Sequence, residues 1–347
     1  MTGSLTRAAW IIGAAVDAEP LVATRGWLVD QEGPRLLAGL AALRTRLGGR
    51  AVLAVAGAAR AKLLAASAPE GVEVRDVGDG FPLDDPAELA WDVAGVAVRP
   101  EQSAADAGVV VVRAAELAAG PGRPLTVTGA VARPYVARVK PDATVEALVD
   151  HAGGALGEAW VALAGGPMRG ALVDRDLPLP PEAEALIVLP ADHEVVRARK
   201  LPVGDQVRRA LGACEGCGLC TAACPPAQRG WPVSPLAALR ALTLPSPSPS
   251  PSTGARIDHS GHEARAVESA ALCTHCGLCD LVCPAGLSPA GLLDGYRAAL
   301  AGDAALAARA LATPMAAPTE GGSRRLSRGL LTLRLGLSGY ASAAALG

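Results

Sequence analysis

Apolar positions in the first third of the chain alternate between two periods. AAWIIGAAV (8–16) is a continuous apolar run of strand length, the pattern of a strand covered on both faces. Leu36, Leu40, Leu43 and Leu47 then recur every three or four residues, which places them on one helical face, and Gly48-Gly49 stop that helix. AVLAVAG (51–57), GVEVRDV (71–77) and GVVVV (108–112) follow as further strands. Buried strands alternating with amphipathic helices predict a layered α/β domain over residues 1–122. The rhythm shortens over 123–175. LTVTGAV (125–131) and YVARV (135–139) read as strands, TVEALVDHAGG (144–154) as a short helix ending at glycine, and AWVALAGGPM (159–168) as a returning strand. Strand, strand, helix, strand in so short a span predicts a ubiquitin-like β-grasp domain. Residues 176–205 read as a connector, 206–300 as a helical module and 301–347 as a C-terminal tail.

Composition narrows the function classes. Half of the 347 residues are apolar but only 3% are aromatic, so the cores are built from Ala, Val and Leu. A net charge of −2 gives no basic field for nucleic acid. No apolar run reaches the eighteen or so residues that span a bilayer. The run at 8–16 follows Arg7 in the manner of a short secretory core. It lacks a small-x-small cleavage site and runs into Asp17 and Glu19, which favours the strand. A cytoplasmic location is expected, where free thiols persist.

All eight cysteines fall in two short stretches, CEGCGLCTAACP (214–225) and CTHCGLCDLVCP (273–284). Disulfides are disfavoured in a reducing compartment and between cysteines three apart. Structural zinc sites use paired C-x-x-C elements, one on each side of a loop. Three cysteines at intervals of three, a fourth after three more residues, then proline, is the bacterial ferredoxin run for 4Fe–4S clusters, in which the fourth cysteine ligates the other cluster. The expected ligand sets are Cys214, Cys217, Cys220 and Cys283 for one cluster, and Cys273, Cys276, Cys279 and Cys224 for the second. Gly216, Gly218 and Gly277 would let backbone amides approach the sulfurs. His275, between two ligand cysteines, stands either to hydrogen-bond a cluster or simply at the surface. The Pro/Ser tract 245–253 lies between the runs, so residues 244–264, with His259 and His262, are expected as a disordered insertion whose histidines are solvated. The basic, amphipathic segment RRLSRGLLTLRLGLSGY (324–340) is expected to pack against the cluster module, with a membrane or partner surface as the alternative.

With the paired cysteine runs, VTGAVARP (127–134), GGPMRG (165–170), VLPADHEV (188–195) and RLGLSGY (334–340) together, the chain resembles a flavoprotein family. That family includes cobalamin reductase of propanediol-utilisation microcompartments and the RnfC component of the Rnf electron-transport complex, relatives of the NADH-binding flavoprotein of respiratory complex I. The resemblance implies a multidomain α/β plus α fold: a complex-I flavoprotein-like α/β domain, a β-grasp (SLBB) domain and an α-helical dicluster 4Fe–4S ferredoxin domain. It also implies hydride transfer from NADH to FMN and single-electron transfer onward to two 4Fe–4S clusters.

The chain departs from that family where the flavin would sit. No glycine-rich loop precedes residue 10. The family's Tyr-Pro-x-Gly-Asp-Glu loop reads FPLDDP (81–86), with Asp84 at the glycine and Pro86 at the glutamate. Ala14 stands at an asparagine of the flavin contact, Val112-Arg113 replace Asn-Asn, and Pro181-Glu182 replace Lys-Thr. Asp84 would repel a phosphate, and Asp17 and Glu19 read as residual surface charges, with the family's acidic contacts as the alternative. Gly165, Gly166 and Pro167 are expected to shape a turn against the cluster module. The expected function is therefore an iron–sulfur relay of single electrons between redox partners: a flavoprotein or ferredoxin as donor and an enzyme or complex as acceptor. It would work free, at a membrane periphery or in a microcompartment, without nucleic acid. An NADH/FMN-dependent reductase is the second reading, and a structural member of a redox complex the third.

Overall fold

Four parallel strands form the first layer: β1 (Trp10–Ala15), β2 (Arg50–Val55), β3 (Val72–Asp76) and β4 (Val109–Arg113), in the order β3-β2-β1-β4. The computed structural model describes residues 7–98, 104–243, 262–300 and 325–340. It divides into two compact units. One holds the described residues up to Arg199 together with the tail from Arg325, and the other begins at Lys200. The Pro/Ser tract and His259 lie outside the described residues.

The parallel sheet is covered on both faces, as its unbroken apolar strands require. Ile11, Leu53 and Val55 join Leu28, Leu36, Leu37 and Leu40 of α1 (Thr24–Leu47) and Leu64 of α2 (Ala58–Ala65) in one core. Strand alternation sends Ile12 and Val52, both fully buried, to the opposite face. There α3 (Pro86–Ala94) packs on β1 and β4. FPLDDP serves this helix. Asp85 caps it by accepting the Ala87 N–H at 2.8 Å, and Pro86 is its first residue. Helix α1 kinks at Glu32, two residues before Pro34, whose ring disfavours helical geometry upstream. A short helix, α4 (Ala114–Leu117), leads out of β4.

The second sheet is mixed. β5 (Arg123–Gly129), β6 (Tyr135–Val139), β7 (Trp160–Ala164), β8 (Ala171–Val173) and β9 (Ala185–Pro190) order as β6-β5-β9-β7-β8. β5 and β9 are parallel and the other pairs antiparallel. Helix α5 (Val145–His151) packs Val145, Leu148 and Val149 into the core of this sheet with Leu125, Val127, Leu186 and Val188. The grasp topology is thus present, but its central strand comes from residues 185–190, inside the expected connector.

The second unit is helical. α6 (Glu194–Lys200) precedes it, and α7 (Val203–Ala213), α8 (Leu219–Ala222), α9 (Pro225–Gln228), α10 (Pro235–Thr243), α11 (His262–Leu272), α12 (Leu278–Leu281) and α13 (Pro289–Leu300) follow. Ala238, Leu239, Val267, Ala270 and Leu293 form its core. Residues 262–264, expected to be disordered, begin α11. The α/β, β-grasp and helical dicluster architecture anticipated from the sequence is present.

The tail belongs to the first unit, not to the cluster module as expected. Phe81 N–H donates to Leu326 O at 2.9 Å, Arg325 pairs with Asp92 at 2.6 Å, and Arg328 donates to Val22 O at 3.1 Å. Leu331 of the terminal helix (Arg328–Arg334) and Leu337 are fully buried, whereas Leu330 and Leu333 stay exposed, so only part of the segment's apolar surface is spent on packing. Among the described residues no helix is long and apolar enough to cross a bilayer.

Candidate functional site

The two cysteine runs fold alike. Each loop turns through a left-handed glycine, Gly218 (φ 77°, ψ 0°) and Gly277 (φ 74°, ψ 4°), into a one-turn helix, α8 and α12. Glycine enters this region without the steric cost a Cβ would impose. Two positions earlier, Gly216 (φ 71°) in the first loop corresponds to His275 (φ 54°) in the second, one of two non-glycine residues with positive φ among the described residues. The His275 ring places Nδ1 2.6 Å from Asp294 Oδ1. It is the backbone N–H of His275 that donates to Cys273 Sγ, at 3.4 Å.

Cys214, Cys217, Cys220 and Cys283 line one cavity of about 140 Å³, closed by Leu236, Leu239 and Leu287. That is roughly ten times the space one buried water needs, and its walls are thiols and aliphatics. Four soft donors around an apolar hollow are the chemistry an iron–sulfur cube requires. Cys224, Cys273, Cys276 and Cys279 lie close enough to act on one another electrostatically. Burial pushes the Cys224 and Cys279 thiols well above the usual range, and neighbouring cysteines add to it. Burial also raises Cys220, to about 11. Iron must displace these protons, so loading the site releases protons and is opposed by acid.

Polar residues that the cysteine pattern alone does not reveal hold the two loops. Thr221 Oγ1 accepts the Leu236 N–H at 3.4 Å, and its counterpart in the other run, Asp280, accepts the Ala290 N–H at 2.8 Å. Ser234 and Ser288 each accept an N–H in the first turn of the next helix, from Ala237 at 3.3 Å and Gly291 at 3.2 Å. The signal was legible: a Ser-Pro pair follows each run, and such pairs start helices. Burial raises the Asp280 pKa, opposed by its bonds from Ser288 and Ala290. Arg297 donates to Ala270 O at 2.9 Å and Cys273 O at 2.6 Å, tying α13 to the second loop.

Two domain families match the chain. The 4Fe-4S dicluster domain matches residues 213–288, and the SLBB domain residues 124–172. Cobalamin reductase PduS of Salmonella typhimurium (strain LT2) is 30% identical over 290 residues, 79% of this chain and 61% of the relative. By that likeness and by the two domains it carries, the chain is PduS/RnfC-like. Cobalamin reductase PduS of Citrobacter freundii is 28% identical over the same shares. The PduS/RnfC-like chain thus spans about 61% of the length of these curated relatives. The crystal structure of an NAD+-reducing NiFe-hydrogenase in the air-oxidized state aligns over 95% of this chain and 59% of that one, at 17% identity and a TM-score of 0.45. The cofactors of the PduS/RnfC-like chain are two 4Fe–4S clusters, the complement of a dicluster domain.

The first unit of this PduS/RnfC-like chain carries a second cavity, of about 340 Å³, at the residues the family resemblance assigns to flavin. Asp17 and Glu19 are not surface charges there; each is 5% exposed. Asp17 accepts the Arg25 N–H at 3.0 Å and the Gly26 N–H at 2.7 Å, at the start of α1. Burial still raises its pKa. Glu19 accepts the Met168 N–H at 2.6 Å, and burial with the nearby Asp84 charge raises its pKa to about 7. The turn at 165–168 is shaped against this carboxylate, within the first unit. A Cβ at Gly166 would stand only 2.1 Å from Glu19 Oε2. Asp84 is also not a free repulsive charge. Arg169 grips it with Nη2 at 2.9 Å and Nη1 at 3.2 Å while lying over the Phe81 ring. Arg25 pairs with Glu184 at 2.7 Å. The amides of Arg25, Gly26 and Met168 are therefore bonded to the chain's own carboxylates. FMN, whose phosphate needs such amides, does not fit these residues as they stand.

Proposed function

We propose that this protein relays single electrons through its two 4Fe–4S clusters between redox protein partners. A flavoprotein or ferredoxin would supply the electrons and a partner enzyme or complex would take them, in the cytoplasm. Cys214, Cys217, Cys220 and Cys283 would hold one cluster, and Cys224, Cys273, Cys276 and Cys279 the other. The bound clusters supply one-electron chemistry. The chain's own residues position the thiols, exclude water with Leu236, Leu239 and Leu287, and donate the His275 amide to Cys273. The observation that carries the reading is the convergence of three cysteines of the first run and one of the second on a single apolar cavity.

Anaerobic purification with iron and sulfide analysis, paramagnetic resonance after dithionite and assay of released FMN tests it. The relay predicts two reducible clusters, no stoichiometric FMN and no bleaching by NADH. The second reading, an NADH/FMN-dependent reductase of the cobalamin reductase type, is supported by the identity with PduS over 79% of the chain. Stoichiometric flavin with NADH-driven bleaching would establish it instead.

A further inference from the structure

The two cysteine runs share spacing and backbone turns but differ in the residue after the third cysteine, Thr221 in the first and Asp280 in the second. Each ties its loop to the next helix, Thr221 by accepting the Leu236 N–H and Asp280 by accepting the Ala290 N–H. Toward the neighbouring sulfur they act in opposite ways. The backbone and the side chain of Thr221 both hydrogen-bond the Cys220 sulfur. Asp280 has no proton to give. Its Oδ2 accepts from Ser288 Oγ at 2.6 Å and its Oδ1 from Ala290 N at 2.8 Å, the bonding of an ionised carboxylate. The same Oδ1 lies 3.5 Å from Cys279 Sγ. A thiol donates across that gap. A thiolate on iron has no proton to donate, so two negatively charged atoms then face each other.

Other charged groups surround both loops. Arg240 Nη2 stands near Gly216, and Glu215 is exposed beside Cys214. At the second loop stand His275, paired with Asp294, and Arg297, bonded to Cys273 O, with the buried Arg229 following Cys224. A substitution at 221 or 280 leaves all of these in place, and the negative charge of a bound cluster is common to both sets. Hydrogen bonds to the sulfurs raise a cluster's potential, and negative charge beside it lowers the potential. We propose that this one position tunes the two sites apart: Asp280 lowers the potential of the set Cys224, Cys273, Cys276 and Cys279, and the Thr221 hydroxyl raises that of the set Cys214, Cys217, Cys220 and Cys283. The pair biases the relay toward an electron resting on the first set, whose Cys217 is exposed, whereas its counterpart Cys276 is 8% exposed. The step moves one electron, oxidising the second set and reducing the first, and no bond or proton changes hands. This deepens the relay reading and rests on it.

The test is a redox titration of the cluster-loaded protein at one fixed pH, followed by paramagnetic resonance, with iron measured in every sample. Cys220→Ala and Cys276→Ala assign the two signals by removing one each. Asp280→Asn keeps the shape, and Asp280→Thr installs the residue of the other run. Each should shift the second-set midpoint upward, and the first-set midpoint by less. Thr221→Val exchanges only a hydroxyl for a methyl, and Thr221→Asp installs the charge. Each should shift the first-set midpoint downward, Thr221→Asp the further. A role confined to holding α10 and α13 moves neither midpoint in this pattern. Where a variant at 280 loses iron, Thr221→Val decides. The proposal is overturned if iron-replete variants keep the parent's midpoints, shift them in the opposite direction, or move the other set's signal more. Parent clusters that reduce while the variants leave both midpoints in place remove only the tuning; clusters that never reduce remove the relay itself.

Discussion

Replacing Glu19 with glutamine keeps the shape and an oxygen to accept the Met168 N–H, but removes the titrating proton. The carboxyl is buried against the 165–168 turn and next to Asp84, which raises its pKa from 4.5 to about 7. A carboxyl that binds protons more tightly when folded stabilises the fold below the unfolded pKa. That contribution is lost as pH rises toward the folded value. Between about pH 4.5 and pH 7 the native state holds a proton that the unfolded chain has released, so stability declines. At 1.36 kcal/mol per unit, the full shift amounts to about 3 kcal/mol. Glu19→Gln should therefore remove this part of the decline and be more stable than the parent above pH 7, by up to about 3 kcal/mol. Urea unfolding of both loaded proteins at half-unit steps from about pH 5 to about pH 8.5 gives the difference directly. Asp17, also raised by burial, tilts both curves and cancels. Two curves that run parallel across that range would refute the argument, because they would mean that Glu19 ionises in the folded protein as it does in water.

Other consequences are as direct. Gly166→Ala brings a methyl into Glu19 Oε2, 2.1 Å from the ideal position, and should cost about 2 kcal/mol in urea unfolding. Arg169→Met leaves Asp84 half-enclosed without its partner and should destabilise by about 2 kcal/mol. Adding Asp84→Asn should recover most of that loss, and a double-mutant cycle with no coupling would sink the pairing. Cys220→Ala should halve the iron, from about eight atoms to about four, and remove one of two resonance signals; Cys276→Ala should remove the other. Proton release on anaerobic reconstitution should be measurable in weak buffer, since burial keeps Cys224 and Cys279 protonated in the metal-free chain.

What the sequence determined by itself was local. The strands at 8–16, 51–57 and 108–112 and the Leu36–Leu47 helix are visible because hydrophobic period and stop signals act within a few residues. The cysteine spacing announced two 4Fe–4S clusters for the same reason: a loop around one corner of a cube is a short-range constraint. What only the tertiary structure decided depends on partners far along the chain. Residues 185–190 look like any apolar run until β5, sixty residues earlier, pairs with them as the neighbour of a central strand. The tail is amphipathic in isolation, and Val22, 306 positions away, tells it where to pack. Asp17 and Glu19 read as surface charges because acidic residues usually are. Their burial follows from backbone amides that folding brings to them, Met168 from 149 positions away. A pattern records what a residue prefers on its own, whereas the solvation of a charge depends on what the rest of the chain places beside it.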